Sequence, residues 1–176
     1  MKTLVTGGIR SGKSAHAELL LADRDDVTYV ATGRPARGLA DPDWAERITA
    51  HRLRRPPAWV TIETLVLDQA LREASGAVLI DSLGSWLAAQ IDHINGWQMA
   101  RQDLESALSD QLNSAVAAIA AHAAAVVVVT EEVGLGLVGE HRSGRLFTDL
   151  LGLANQRVAT VCDEVRLVLA GRALVL

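Results

Sequence analysis

The chain opens with a short apolar run, Thr3-Leu4-Val5, that leads directly into Gly7-Gly8-Ile9-Arg10-Ser11-Gly12-Lys13-Ser14. No other stretch constrains the fold as strongly. Gly7, Gly12, Lys13 and Ser14 satisfy the spacing G-x-x-x-x-G-K-[ST]. That pattern works only at a junction between a strand and a helix. The glycines let the backbone curl until successive N–H groups face phosphate oxygens, Lys13 adds a mobile positive charge, and the Ser14 hydroxyl can ligate Mg²⁺. Both flanks have the required character: a candidate strand over Lys2 to Thr6 and a helical pattern over Lys13 to Asp23. The loop is therefore expected to hold nucleotide phosphates.

The rest of the chain alternates in the same way. Candidate strands are Lys2 to Thr6, Val27 to Thr32, Trp59 to Glu63, Ala77 to Asp81, Val126 to Thr130, Glu164 to Ala170 and Ala173 to Leu176. Several are apolar throughout, as in parallel strands covered on both faces. Helical periodicity marks Lys13 to Asp23, Trp44 to Arg54, Leu65 to Ala74, Gln98 to Ala124 and Arg145 to Asp163. The alternation predicts a three-layer α/β P-loop NTPase-like domain with a mostly parallel sheet. "AGR" at Ala170 to Arg172 reads as a tight turn, so the sheet should close with an antiparallel C-terminal edge hairpin. Gly33 to Asp43, rich in Gly, Pro and Asp, reads as a surface loop, and a second loop joins Asp92 to Trp97. With 176 residues the chain is expected to form one domain over 1–176.

A formal net charge of -4 argues against nucleic-acid binding by bulk phosphate neutralisation, so any anion site must be built locally. The single cysteine, Cys162, leaves no internal disulfide and suits a reducing cytosol; it reads as a small buried apolar residue. The start of the chain lacks a signal-peptide pattern. The most apolar window, Ala115 to Val129, contains His122 and is too short for a membrane span. A cytoplasmic protein is expected.

A phosphate loop works with an acidic residue at the end of another strand. "VLIDS" offers Asp81, and "VVVVTEE" offers Glu131 and Glu132. Asp81 is the first choice for Mg²⁺, with a helix N-cap as its alternative role. A second chemical feature lies in "ERITAHRLRRPP", Glu46 to Pro57. On a helix Arg47 precedes His51 by four residues, and Arg54 and Arg55 follow it by three and four, so one face carries an imidazole bracketed by guanidinium groups. Two readings stand. The face is a solvated basic helix end, or the arginines bind a nucleoside triphosphate while neutral His51 attacks phosphorus. Flanking positive charge would keep the imidazole unprotonated and nucleophilic.

The assembled motifs resemble the bifunctional adenosylcobinamide kinase/adenosylcobinamide-phosphate guanylyltransferases of cobalamin biosynthesis. The resemblance rests on "LVTGGIRSGKS", "YVATGRP" at Tyr29 to Pro35, "RITAHRLRRPPAWVTIE" across Arg47 to Glu63, "VLIDSLGSWL" at Val78 to Leu87, "EVGLGLV" at Glu132 to Val138 and "ANQRVATVCDEVRLVLAGRAL" near the end. It implies phosphorylation of adenosylcobinamide, followed by GMP transfer from GTP, through a GMP-histidine intermediate, to adenosylcobinamide phosphate. It places the guanylylated histidine at His51, beside Lys13 as the second catalytic residue. It implies nucleotide contacts at Gly7, Gly8, Ile9, Arg10, Ser11, Gly12, Lys13, Ser14, Thr32, Gly33, Arg34, His51, Arg52, Leu53, Arg54, Glu63 and Asp81, with Mg²⁺ at Ser14 and Asp81. GTP and ATP are the implied nucleotides and a homotrimer the implied assembly. The chain departs from the family pattern at Glu131, where asparagine is usual before "EVG", and at Thr148, where "FTD" replaces "FRD"; Arg142 and Arg145 lie close enough in sequence to compensate. These departures admit two other readings: a guanylyltransferase that has lost the kinase step, and a non-catalytic GTP-binding switch.

Overall fold

The computed structural model describes residues 1–33, 46, 49, 54–136 and 139–176. Among the described residues seven strands form one sheet: β1 (Lys2–Gly7), β2 (Val27–Ala31), β3 (Val60–Glu63), β4 (Ala77–Asp81), β5 (Val126–Glu131), β6 (Glu164–Leu169) and β7 (Arg172–Val175). Their order across the sheet is β3-β2-β4-β5-β1-β6-β7. All pairings are parallel except that of β6 with β7, which forms the antiparallel edge expected from "AGR". The turn there uses Ala170 and Gly171, both at positive φ, where the glycine is unstrained.

Among the described residues the helices are α1 (Lys13–Leu19), α2 (Leu67–Glu73), α3 (Leu83–His93), α4 (Arg101–Ala121) and α5 (Arg142–Ala159), with a 3₁₀ turn at Gly96–Gln98. Strand residues alternate between the sheet's faces. Leu4, Val30, Val78, Ile80, Val126 and Val128 pack with α2 to α5, in a core that includes Trp86, Leu104, Leu108, Leu150 and Leu151. Val5, Tyr29, Ala77, Leu79, Val127 and Val129 pack with Ala17 of α1 and with Leu21 and Trp59. The three layers of the sequence-based expectation are therefore present.

Several predicted boundaries shift. α1 stops at Leu19 rather than Asp23 because the chain tightens into i→i+3 bonds: Leu21 N–H to Glu18 O, Ala22 N–H to Leu19 O and Arg24 N–H to Leu21 O. The same tightening after Ala159 ends α5 before Asp163, with Val161 and Cys162 N–H bonded to Val158 and Ala159 O. α5 begins earlier than Arg145, at Arg142, and α4 spans Arg101–Ala121 instead of Gln98 to Ala124. β3 begins at Val60, since Trp59 turns inward and its Nε1–H donates to Arg24 O at 2.8 Å.

Helix α3 was not expected. Leu83, Trp86, Leu87 and Ile91 recur at helical spacing and are all buried. Of the helix expected over Trp44 to Arg54, residues 46, 49 and 54 are described and each is helical; the others lie outside the described residues.

Candidate active site

The phosphate loop joins β1, an interior strand of the sheet, to the first helix. Gly7 ends β1, the chain turns with Ser11 N–H on Gly8 O at 3.2 Å, and α1 begins at Lys13. The two motif glycines are required for different reasons. A Cβ on Gly7 would sit 2.5 Å from Val168 O and 2.6 Å from Ser11 Oγ, while Gly12 has φ +94° and faces Gly171. The loop is also braced from the far end of the chain: Gly171 N–H donates to Ser11 O at 2.8 Å. Lys13 folds back over the loop, with Nζ 3.4 Å from Gly8 O and 3.8 Å from Glu131 Oε1.

Parallel pairing brings the acidic residues to the same edge. β5 lies between β1 and β4, with Gly7 opposite Glu131 and Asp81 opposite Val129. The C-terminal ends of three neighbouring strands thus present Gly7, Glu131 and Asp81 together. Asp81 Oδ2 accepts a 2.7 Å hydrogen bond from the Tyr29 hydroxyl, and Tyr29 is buried at 2 % exposure. Burial, reinforced by the Asp81 charge, pushes the Tyr29 phenol up, so it stays a donor. The N-cap role held open for Asp81 falls instead to Ser82, whose Oγ accepts from Ser85 N–H at 3.2 Å.

Glu131 is enclosed. The Ser82 hydroxyl donates to its Oε1 at 3.0 Å, and its Oε2 has no hydrogen-bond partner among the described residues. That oxygen occupies space left by Gly84, where a Cβ would come within 2.0 Å. Burial raises the pKa of this carboxyl, against the opposing pull of Lys13 and Ser82. Asn155 of α5 fixes the strand end, donating to Glu131 O at 3.1 Å and accepting from the Thr130 hydroxyl at 2.6 Å.

The other sequence-predicted positions fall as follows. Thr32 is buried, and its hydroxyl is committed to Ser82 O at 2.6 Å. Gly33 follows it, and Glu63 ends β3, two strands beyond β4 at the same edge. Arg54 forms a two-point contact with Glu18 of α1, Nε to Oε2 at 3.0 Å and NH2 to Oε1 at 3.3 Å. Arg34, His51, Arg52 and Leu53 lie outside the described residues. Arg142 donates to the carbonyls of Trp97 and Met99, and Arg145 to those of Gly139 and Glu140, so both guanidinium groups serve loop backbone. Trp86 is core, with its Nε1–H on Leu65 O at 2.9 Å.

Sequence reasoning assigned no role to Tyr29, Glu18, Ser82 or Asn155. Tyr29 and Asn155 stand inside the quoted "YVATGRP" and "ANQR" motifs, a usable signal. Glu18 resembles any helix glutamate until the fold brings Arg54 to it.

Two solved structures share the architecture. An ATPase from the type III secretion system of pathogenic bacteria superposes with a TM-score of 0.54 at 10% identity, covering 94% of this chain and 50% of that one. A KaiC-like protein of Pyrococcus horikoshii OT3 gives 0.51 at 14% identity over 94% and 69%. Together with the loop geometry, this fold defines a P-loop nucleotide-binding protein. Sequence comparison is more specific. The CobU family model, cobinamide kinase / cobinamide phosphate guanyltransferase, matches residues 3–176. The chain is 38% identical to the bifunctional adenosylcobalamin biosynthesis protein CobU of Salmonella typhimurium, over 97% of both chains. It is 32% identical to the CobP protein of Pseudomonas aeruginosa, over 97% of this chain and 94% of that one. The chain belongs to the CobU family and is a bifunctional transferase, a cobinamide kinase and cobinamide phosphate guanylyltransferase.

Proposed function

We propose that this chain phosphorylates the hydroxyl of adenosylcobinamide and then transfers GMP to the product through His51, giving adenosylcobinamide-GDP. The reading is carried by Lys13, which sits on a preformed phosphate loop at the edge shared with Asp81 and Glu131. In the kinase step the substrate hydroxyl oxygen loses its proton and bonds to the γ-phosphorus of ATP or GTP, the nucleoside diphosphate leaves, and Lys13 with the loop N–H groups offsets charge on the phosphates. In the second reaction a nitrogen of His51 attacks the α-phosphorus of GTP and the bond to the departing pyrophosphate breaks. An oxygen of adenosylcobinamide phosphate then takes the GMP and frees the imidazole.

Mg²⁺ suits the donor set: it is commonly held by one or two carboxylates with substrate phosphates, and the described residues contain no group of three or more His, Cys, Asp or Glu able to cage a metal. Ser14 and Asp81 would hold it, and bound there it would draw charge from the phosphates. Asp81 is kept oriented for this by Tyr29. The chain is read as one domain over residues 1–176, acting in the cytoplasm as a homotrimer. Among the described residues no helix is long and apolar enough to cross a membrane.

The test is incubation with α-³²P-GTP and Mg²⁺, then denaturing electrophoresis, beside a kinase assay on adenosylcobinamide. An acid-labile, alkali-stable label absent from His51→Ala supports the histidine route. Label without kinase activity would favour a guanylyltransferase alone, and reversible GTP binding with neither activity would favour a switch.

A further inference from the structure

Arg54 and Arg55 follow His51 by three and four residues, and each is tied to a different part of the nucleotide site. Arg54 makes its two-point contact with Glu18, whose side chain is 10% exposed, on the helix that begins with Lys13 and Ser14. Arg55 stacks its guanidinium carbon 3.2 Å from the centroid of the Tyr29 ring and donates to Thr61 Oγ1 at 3.2 Å. Tyr29 in turn donates to Asp81. One arginine is thus fastened to the phosphate-loop helix and the next, through a buried phenol, to the carboxylate at the end of β4.

Such contacts suit anchoring better than phosphate capture. A fork-to-carboxylate pair fixes both distance and angle, and a nucleotide recruiting Arg54 would strand the nearly buried Glu18 carboxylate without its cation. We propose that Glu18 and Tyr29 are positioning residues for guanylyl transfer: by holding Arg54 and Arg55 they set where the chain bearing His51 stands relative to the phosphate loop. Three residues of chain, roughly 11 Å at full extension, separate His51 from the anchored Arg54. Misplacement of a nucleophile by about 1 Å can cost on the order of a hundredfold in rate. The γ-phosphoryl transfer does not use His51, so the Glu18–Arg54 contact acts on guanylyl transfer alone, whereas Tyr29 also orients Asp81. This inference rests on His51 as the nucleophile.

The experiment compares Glu18→Gln, Arg54→Lys and His51→Ala with the wild-type chain. Its readouts are the single-turnover rate of α-³²P-GMP labelling, the GTP dissociation constant, kinase kcat and KM on adenosylcobinamide, and Tm. Glu18→Gln is expected to slow labelling about tenfold while GTP affinity and the kinase constants stay within about twofold. Arg54→Lys keeps the charge but loses the fork and should fall between. Tighter GTP binding in Glu18→Gln would mean that Arg54 is a phosphate ligand restrained by Glu18, and would overturn the proposal. A parallel fall in kinase activity, labelling and Tm would overturn it in favour of a purely structural pair, as would an unchanged labelling rate. Label lost in His51→Ala but unaltered in Glu18→Gln overturns the anchor alone. Label persisting in His51→Ala, or absent from the wild-type chain, overturns the nucleophile assignment and the anchor with it.

Discussion

Lys13 Nζ stands 3.8 Å from Glu131 Oε1, so the phosphate-loop lysine of this chain shares its site with a carboxylate that is itself partly buried. The ammonium therefore meets a negative charge before it meets a nucleotide, and that charge also repels incoming phosphate. Replacing Glu131 by Gln keeps the Ser82 contact and removes both effects. Affinity for GTP is expected to rise about three- to tenfold, consistent with a charge–charge term of about 1 kcal/mol at such a partly buried site. Calorimetric titration of both forms checks this; weaker binding by the variant would show that Glu131 is needed to orient Lys13.

The same carboxyl gives a pH signature. Burial raises its pKa above the ordinary glutamate value of 4.5, so the folded state holds the proton more tightly than the unfolded one. Its contribution to stability is then fully present below about pH 4.5 and declines as pH rises through the raised folded value. The Tm of the wild-type chain should fall relative to that of Glu131→Gln between pH 4.5 and neutrality. A constant difference over that range would count against the assignment.

Gly84 and Glu131 should behave as a coupled pair. Alanine at 84 favours the helix by about 0.5–1 kcal/mol in general, but here its Cβ would fall 2.0 Å from Glu131 Oε2. Gly84→Ala is expected to destabilise the wild-type chain and to become neutral or stabilising when Glu131 is also replaced by Ala. A double-mutant cycle in denaturant measures the coupling; additive effects would refute the packing described.

Asn155→Ala leaves the fully buried Thr130 hydroxyl and the Glu131 carbonyl without their partner. A loss of about 1–3 kcal/mol in unfolding free energy is expected from the stranded polar groups. GTP affinity should change with it, since the same strand end carries the carboxylate facing Lys13.

Cys162, half-buried rather than buried as its sequence context suggests, should react slowly. Burial, aided by the charge of Asp163, pushes its thiol up to about 11, so almost none is thiolate at neutral pH. Alkylation by iodoacetamide at pH 7.5 should run far more slowly than for a free cysteine peptide, and rapid labelling would contradict the burial.

The parts of this molecule that repeat were readable in the sequence. The strands are apolar runs whose alternate residues feed two cores, and the phosphate loop has a spacing tied to its geometry. What escaped notice depends on contacts made across the fold. Helix α3 was missed although Leu83, Trp86, Leu87 and Ile91 carry its spacing, because the segment directly follows the strand run that ends at Asp81. Lys13 and Glu131 lie 118 positions apart and meet only because β5 pairs with β1 in register. Glu18 and Tyr29 carry no pattern of their own; their importance comes from where Arg54 and Arg55 land.

The hydrogen bond from Gly171 N–H to Ser11 O has a consequence for biosynthesis. During translation the phosphate loop is made before its supports, since β1 has no neighbour until β5 and β6 have followed it. The nucleotide cradle is therefore synthesised well before the strands and turn that shape it. A nascent chain halted before residue 171 would lack the brace under its own binding loop, so acquiring nucleotide also reports that the C-terminal hairpin is in place.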